Sequence, residues 1–565
     1  MMNEIKTLKG GTFLNRYVIR LKLTARTPFH IGSGLQTERE GLVDDNKINK
    51  EHKKLKVNAV AVDGNGSAYI PGSTLRGALR DWLRHGNAGM TEKMAGVSAD
   101  DIATSSDLER IFGTQHNEGK LEVWDAYCTS RVDEQDDNNG QMCFWNKKRM
   151  TYVAKSVAIN PETGTAEDGK LYNYELVPAG AQFSATFSAQ NLSPREAELI
   201  CAVLNGFDHE ENPIAIGAMT KLDFGRFKVE DFAIYRLDQN NMGDWRNKAQ
   251  DNAEMRAGYD LLVDEAFDLE KINKAEFNKL KAATLPEPID ASIHREEWTL
   301  NLETPLVVRS GGRFVWKNAD KKKTRNYRME FNWMLTDKEG WHHVSDLYHS
   351  VEIKDRKIVP YYHIPSSSVR GALRAWTIEH LLKREHWDIE KYLKPLKASV
   401  LENKTDDQKR LDPILDLFGF AIEGTDKAVT KEYTKAGRLT INVHPFSTIS
   451  VRPAVDGNNW DKHAANVFGP TNASRHIKPR NPLDRITQAA KEGGLHNNLE
   501  FSKDQKLILE IKILSLKDFD KQLLARWEKE INAGQILLGG LSGIGRGRVK
   551  VLERKETISK EAQNG

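Results

Sequence analysis

Ile70-Pro71-Gly72-Ser73-Thr74-Leu75-Arg76-Gly77-Ala78-Leu79-Arg80-Asp81-Trp82 returns as Ile364-Pro365-Ser366-Ser367-Ser368-Val369-Arg370-Gly371-Ala372-Leu373-Arg374-Ala375-Trp376. After each Ile-Pro pair the apolar period becomes helical: Leu75, Ala78, Leu79 and Trp82 fall at i, i+3, i+4 and i+7, and Val369, Ala372, Leu373 and Trp376 repeat them. Working outward, four more stretches recur in the same order. Thr27-Pro28-Phe29-His30-Ile31-Gly32-Ser33-Gly34 reappears as Thr304-Pro305-Leu306-Val307-Val308-Arg309-Ser310-Gly311-Gly312. Ile111-Phe112-Gly113 matches Leu417-Phe418-Gly419, and Gly119-Lys120-Leu121 matches Gly437-Arg438-Leu439. Phe224-Gly225-Arg226-Phe227-Lys228-Val229 matches Arg546-Gly547-Arg548-Val549-Lys550-Val551. The separations are 277, 294, 306, 318 and 322, rising without reordering. Chance similarity scatters such offsets, whereas duplication followed by loop insertion in the second copy makes them grow.

Each copy opens with β-type alternation, as in Tyr17-Val18-Ile19-Arg20-Leu21-Lys22-Leu23-Thr24, before its Gly/Ser loop. Strand, loop, helix and later strands predict an α+β sheet with helices on one face. The join falls at Leu285-Pro286-Glu287-Pro288-Ile289-Asp290, after a charged, helix-forming stretch over 255–283. The boundaries expected are a first domain at 1–240, a connector at 241–290, a second domain at 291–555 and a tail at 556–565.

The 565 residues carry 83 Lys+Arg against 80 Asp+Glu, a formal charge of +3, so any nucleic-acid contact must come from local basic surfaces. With 39% apolar and 29% charged residues, the chain is neither collagen-like nor wholly disordered. It shows no long apolar run and no signal-like start, which predicts a soluble, cytoplasmic protein. Cys128, Cys143 and Cys201 lack C-x-x-C spacing and read as buried or idle thiols.

At each Ile-Pro motif, serine at the helix start predicts a cap, with backbone N–H groups and the helix dipole open to an anion. Ser73, Thr74, Arg76 and Arg80 would then hold a phosphate, and Ser366, Ser367, Arg370 and Arg374 would repeat the arrangement. The second signal is Leu538-Gly539-Gly540-Leu541-Ser542-Gly543-Ile544-Gly545-Arg546-Gly547-Arg548. Glycines there allow close approach of a strand, with Gly543, Gly545, Arg546 and Arg548 as RNA-binding candidates and Gly225 and Arg226 as their echo. It lacks the Gly-Lys-Ser/Thr ending of a nucleotide-triphosphate loop. In each half, the helix start and the glycine strip are expected to form one pocket.

The ordered set of strand with Gly-Ser-Gly, Ile-Pro-Gly-Ser-x-Leu-Arg-Gly-x-Leu-Arg, Ile-Phe-Gly, Gly119 to Ala126 and a closing glycine-rich strand resembles the RAMP superfamily of CRISPR antiviral systems. It is most similar to the guide-binding spine subunits of type III effector complexes, two of them fused. The resemblance implies a ferredoxin-like, RRM-related core in each half, with a palm on the guide RNA (crRNA) backbone and a β-hairpin thumb. Residues 157–172 suit the first thumb and 472–494 the second. A thumb pushed into the guide–target duplex unstacks a base step and frees a 2′-hydroxyl for in-line attack. The second copy departs from the pattern at the position of Asp125, where it has no Asp-Ala.

In similar subunits a carboxylate before the Ile-Pro motif promotes target-RNA cleavage with a divalent metal ion, magnesium or manganese. Counting back from Ile-Pro reaches Asn58 and His349, with Asp44, Asp45 and Asp346 nearby as the acids. His30, His342 and His343 are general-base alternatives, and Lys321, Lys322, Lys323, Arg325, Tyr327 and Arg328 form a basic loop. The implied function is a backbone subunit that binds crRNA, clamps complementary target RNA, cleaves it by 2′-hydroxyl attack, and assembles with other effector subunits away from membranes. A guide-processing endoribonuclease, a non-catalytic scaffold and a ferredoxin-like protein without RNA remain open alternatives.

Overall fold

The computed structural model describes residues 14–40, 54–85, 107–133, 145–159, 166–209, 213–238, 270–271, 278–280, 293–317, 327–330, 341–382, 413–420, 435–444, 475–480, 483–484, 487–489 and 496–557.

In the first module, alternation along β1 (Asn15–Ala25) turns Tyr17, Ile19, Leu21, Leu23 and Ala25 into the core. There follow β2 (Gly32–Glu40), β3 (Lys54–Val60), β4 (Tyr69–Ile70), α1 (Gly72–His85), α2 (Asp107–Phe112), β5 (Leu121–Val123) and β6 (Ala126–Cys128). The hairpin of β7 (Tyr152–Ile159) and β8 (Ala166–Leu176) leads to β9 (Gln182–Gln190), α3 (Pro194–Asn205) and β10 (Phe227–Asp238). The main sheet runs β10-β1-β9-β6-β4, with β5 also on β9; β2-β3-β8-β7 forms a second sheet. Leu75, Leu79, Trp82 and Leu83 of α1 pack into the core, as their spacing requires. Within the expected helical connector, β11 (Glu270–Lys271) is instead a strand, because the open edge of β10 supplies its hydrogen-bond partners.

The second module contains β12 (Ile293–Leu302), β13 (Arg309–Lys317), β14 (Tyr327–Glu330), β15 (Trp341–Leu347), β16 (His349–Lys354), β17 (Lys357–Tyr362) and α4 (Ser366–Leu382). It continues with β18 (Gly419–Phe420), β19 (Lys435–Ala436), β20 (Leu439–His444), β21 (Arg475–Arg480), β22 (His496–Phe501), β23 (Lys506–Leu514), α5 (Asp518–Asn532) and β24 (Val549–Thr557). Its main sheet, β20-β23-β12-β24, repeats β5-β9-β1-β10. Its second sheet repeats β2-β3-β8-β7 as β13-β15-β22-β21, even to the parallel pairing of β15 with β22 where β3 pairs with β8. Two separate apolar cores result, one per copy. The first expected thumb range covers the ends of the β7–β8 hairpin and the second contains β21, which pairs with β22; residues 160–165, 472–474, 481–482, 485–486 and 490–494 lie outside the described set.

The registers correct one equivalence. Asn58 pairs with Tyr174, and Ser345 pairs with Asn498; the Ala61 N–H bonds the Ile31 carbonyl, and the Tyr348 N–H bonds the Val308 carbonyl. Asn58 therefore corresponds to Ser345, and His349 to Val62. Counting back from Ile-Pro fails because the separation is still 287 at Ala61 and Tyr348 but 294 at Ala68 and Tyr362. The difference of seven residues extends a short turn, closed by the Val62–Ala68 bridge, into the β16–β17 hairpin.

That hairpin docks on the first module. Val351 and Ile358 join Met150, Tyr152, Tyr174 and Leu176 in a third apolar cluster. The Ile353 N–H donates to the Ala179 carbonyl at 2.7 Å, the Ala179 N–H donates to the Val351 carbonyl at 3.2 Å, and Arg356 pairs with Asp133 at 2.6 Å. Gly180, at φ +79°, permits the approach, since a Cβ there would run into the Ile353 carbonyl.

Candidate nucleic-acid interface

The helix starts differ from the expected caps. α1 begins at Gly72, leaving Ser73 exposed in its first turn beside half-buried Thr74. The Pro71 carbonyl accepts from the Thr74 and Leu75 N–H groups, and Asp125 Oδ1 accepts from the Gly72 N–H at 2.7 Å. In the second module the bond is reversed. Buried Ser366 Oγ accepts from the Val443 N–H at 3.2 Å, with Ser367 in the following position. The first bond ties the helix start to the link between β5 and β6 and the second ties it to β20, which explains how the second copy dispenses with Asp125.

Arg76 donates to the Phe112 carbonyl and Arg370 to the Phe418 carbonyl, so the recurring arginine ties its helix to the following Phe-Gly turn. Arg370 also lies over the Phe418 ring, 5.6 Å from its centre. Arg80 and Arg374 are half-buried on the same helices.

The two glycine loops repeat the same backbone bonds. Thr27 Oγ1 accepts from the Arg226 N–H at 3.1 Å, and Thr304 Oγ1 from the Arg548 N–H at 2.9 Å. Gly225 and Gly547 both donate to a proline carbonyl, Pro28 or Pro305, at 3.0 Å. Their φ values, +75° and +81°, and the carbonyls of Ile216 and Leu538 against them exclude a Cβ. Between the glycines each loop makes one 3₁₀ turn, Thr220–Leu222 or Ser542–Ile544. Arg226 pairs with Asp223 at 2.7 Å, Arg546 with buried Glu500 at 2.8 Å and Arg548 with Glu303 at 2.7 Å, while Gly543 and Gly545 are exposed.

Within a module, the glycine loop and the helix start do not share a pocket. The loop leads into β10 and the helix follows β4, at opposite ends of the main sheet. The pairing occurs across the module junction. The 3₁₀ turn at Thr220–Leu222 packs on β20, the strand whose Val443 is bonded to Ser366, and Arg226 reaches Glu510 at 3.8 Å. Desolvation and then the Arg370 guanidinium lower the Lys221 pKa, against the opposing effect of Asp81. Burial, and then Arg374, likewise disfavours the charge on Arg370; burial alone does so on Arg374. Lys221 of one module and Arg370 of the other thus disfavour each other's charge across the junction, a balance an anion would reverse.

The catalytic candidates are dispersed. Asn58 Oδ1 accepts from Gln36 Nε2 at 3.1 Å on β3. His349 is buried at the junction, its ring edge-on to Tyr362. Asp346 lies on β15 beside Ser345, together with His342 and His343. Asp44, Asp45, Lys321, Lys322, Lys323 and Arg325 lie outside the described residues, and Tyr327 and Arg328 lie on β14. His30 Nδ1 is 2.8 Å from the Glu175 carbonyl oxygen. Among the described residues, no three His, Cys, Asp or Glu side chains gather as a metal ion requires. Burial raises the pKa of the Cys128 thiol and pushes that of Cys201 up to about 12, leaving them un-ionised.

Sequence reasoning missed the repeated ionic pin beneath these sites. Lys120 bonds buried Glu196 at 2.8 Å, and Arg438 bonds buried Asp520 at 2.8 Å. Both acids also cap their own helix from its third position, Glu196 through the Ser193 N–H and Asp520 through the Lys517 N–H. The signal was present in Gly-Lys-Leu and Gly-Arg-Leu, where a base follows the glycine in both copies. Arg149 with buried Glu175, at 2.8 Å, was missed too, and no repeated motif marks it.

The RAMP superfamily family model matches residues 22–228 and 299–550. Over 238 residues the chain is 26% identical to the CRISPR system Cms endoribonuclease Csm3 of Methanocaldococcus jannaschii, covering 41% of this chain and 83% of that protein. Among the described residues, no helix is long and apolar enough to cross a membrane. Two matched regions that coincide with two copies of one sheet-and-helix arrangement make this chain a tandem member of the RAMP superfamily.

Proposed function

We propose that the chain is a backbone subunit of a type III CRISPR effector complex, binding crRNA and holding complementary target RNA along the junction of its modules. The observation that carries this reading is the packing of the Lys221-bearing turn of one glycine loop on β20 of the other module, where the field of Arg370 on the motif helix reaches Lys221. Under-compensated cations facing one another are suited to a phosphate backbone, and pairing with the guide then supplies sequence specificity. The similarity to Csm3 supports both the RNA partner and the company of other effector subunits. Filter binding of guide-length RNA is the test. Lys221→Ala with Arg374→Ala should weaken binding and reduce the slope of log affinity against log salt by about 1 to 2. Unchanged affinity and slope exclude the junction as the grip.

The relative's name, an endoribonuclease, favours cleavage as an additional activity. Asp44, Asp45 and Asp346 are then the acids to test singly in the assembled complex with labelled target. Products ending in a 2′,3′-cyclic phosphate and a 5′-hydroxyl are expected with magnesium or manganese. Cleavage left intact by every alanine variant removes these residues from the reaction. Cutting of precursor RNA by the chain alone would point instead to guide processing.

A further inference from the structure

Asn58 on β3 and exposed Gln36 on β2 are opposite each other in the first module's second sheet, and Asn58 Oδ1 accepts from Gln36 Nε2 at 3.1 Å. Among the described residues, neither side chain makes another hydrogen bond. Whichever way the two amides are turned, their mutual bond engages the carbonyl of one and the NH2 of the other. One whole carbonyl and one whole NH2 group remain, side by side.

The pair is held by a brace that the fold does not require. Buried Glu175 accepts from the Val60 N–H at 3.1 Å and from Arg149 at 2.8 Å, and Arg149 also donates to the Val60 carbonyl at 3.2 Å, which fixes β3 close to Asn58. The Glu175 carbonyl lies 2.8 Å from His30 Nδ1, and the His30 carbonyl accepts from the Ala218 N–H at 2.8 Å, where the chain leads into the turn that carries Lys221. Glu175 therefore sets the amide pair and the Lys221-bearing loop relative to each other. Tyr174, the register partner of Asn58, belongs to the apolar cluster shared with the second module's hairpin, so the pair stands beside the junction. In the second module the corresponding row is Arg313, Ser345 and Asn498, and buried Leu499 holds the place of Glu175. The twin sheet thus folds with leucine there, and a buried ion pair carries a desolvation cost that leucine avoids. What the brace adds is the fixed position of the groups around it.

We propose that Gln36 and Asn58 together bind a 2′-hydroxyl of the strand held at the junction and so select RNA over DNA, an inference that rests on the RNA reading above. A hydroxyl donates one hydrogen bond and accepts others, which matches a carbonyl beside an NH2 group. A base edge offers a similar pair, but a protein reading base edges would restrict a strand whose sequence is read by pairing. The second module has neither amide at the matching places, so each chain reads one such hydroxyl.

Filter binding of the full chain to a guide-length RNA, and to 2′-fluoro RNA and DNA of the same sequence, tests this. The 2′-fluoro strand keeps the sugar shape of RNA but cannot donate. Wild type should bind RNA about fivefold to tenfold tighter than the 2′-fluoro strand, by the same ratio on an unrelated sequence. Gln36→Met with Asn58→Leu should bring RNA down to the affinity of the 2′-fluoro strand, with 2′-fluoro affinity and salt slope unchanged. Gln36→Met alone, at an exposed position, should lower the ratio and replaces the double variant if thermal unfolding shows the latter to be misfolded. Equal wild-type affinity for RNA and 2′-fluoro RNA, a ratio that changes with sequence, or a ratio that survives the substitutions overturns the proposal and leaves the junction grip standing. A wild-type chain that binds none of the three strands removes the RNA reading itself, and this proposal with it.

Discussion

The turn at residues 63–67 and the β16–β17 hairpin occupy the same place in the two modules, yet only the hairpin reaches another domain. In the first module, Asp63 and Ser67 close a tight turn with a backbone bond at 2.9 Å. In the second, seven added residues carry Val351 and Ile358 into an apolar cluster on the first module's second sheet. An insertion in one copy has thus built the tie between copies without disturbing either core. Long additions to surface turns cost little chain entropy, so they are an accessible route to a new interface.

The largest expected effect tests whether the copies share their internal construction. Glu196→Ala removes the buried acid shared by Lys120 and Arg110 together with its helix cap, and Asp520→Ala removes a cap and leaves Arg438 with Asp416 as its remaining acid. Each should cost about 4 kcal/mol in urea unfolding; a large loss in one module with none in the other would break the equivalence.

Ile358→Ala should cost about 3 kcal/mol and act on the junction alone. Unfolding should then separate into two transitions, one per module. A single sharpened transition would mean that the hairpin does not couple them.

Acid should distinguish the modules next. Burial pulls the His363 imidazole down to about 4 from an ordinary 6.5, and its Nε2 lies 2.8 Å from Ser350 Oγ. The first module has Tyr69 at that position. Because the unfolded chain binds the proton more readily between pH 6.5 and 4, stability is retained above 6.5 and lost on acidification, on the order of 2 kcal/mol by pH 5. His363→Tyr should flatten that dependence in circular-dichroism melts; an unchanged pH profile would remove His363 as its source.

The smallest effect compares the reversed bonds at the helix starts. Asp125→Ala and Ser366→Ala should each cost about 1 kcal/mol, as helix-terminal side-chain bonds do. A double variant losing much more than the sum would show the two modules to be coupled through their helices.

Much of the fold was legible because its signals are local. The stripe of Leu75, Leu79 and Trp82 marks a helix face, and Gly225 and Gly547 mark left-handed backbone where any side chain would strike a facing carbonyl. The site was less legible. Arg76 and Arg370 repeat beside a helix start, which suggests an anion, yet each donates to a carbonyl of its own module. Asn58 and His349 were misaligned because motif separations report how many residues were inserted between two landmarks, not on which side of a strand they lie.

From the sequence alone came the duplication, the order of its elements and the family they belong to. Periodicity, turn sterics and motif order need no partner from afar to be read. Tertiary structure alone decided that the first module's glycine loop packs on β20 of the second rather than beside its own helix start, and that an inserted hairpin joins the halves. Those outcomes depend on which surfaces come together across hundreds of residues, and burial and charge complementarity are properties of the assembled pair rather than of either segment.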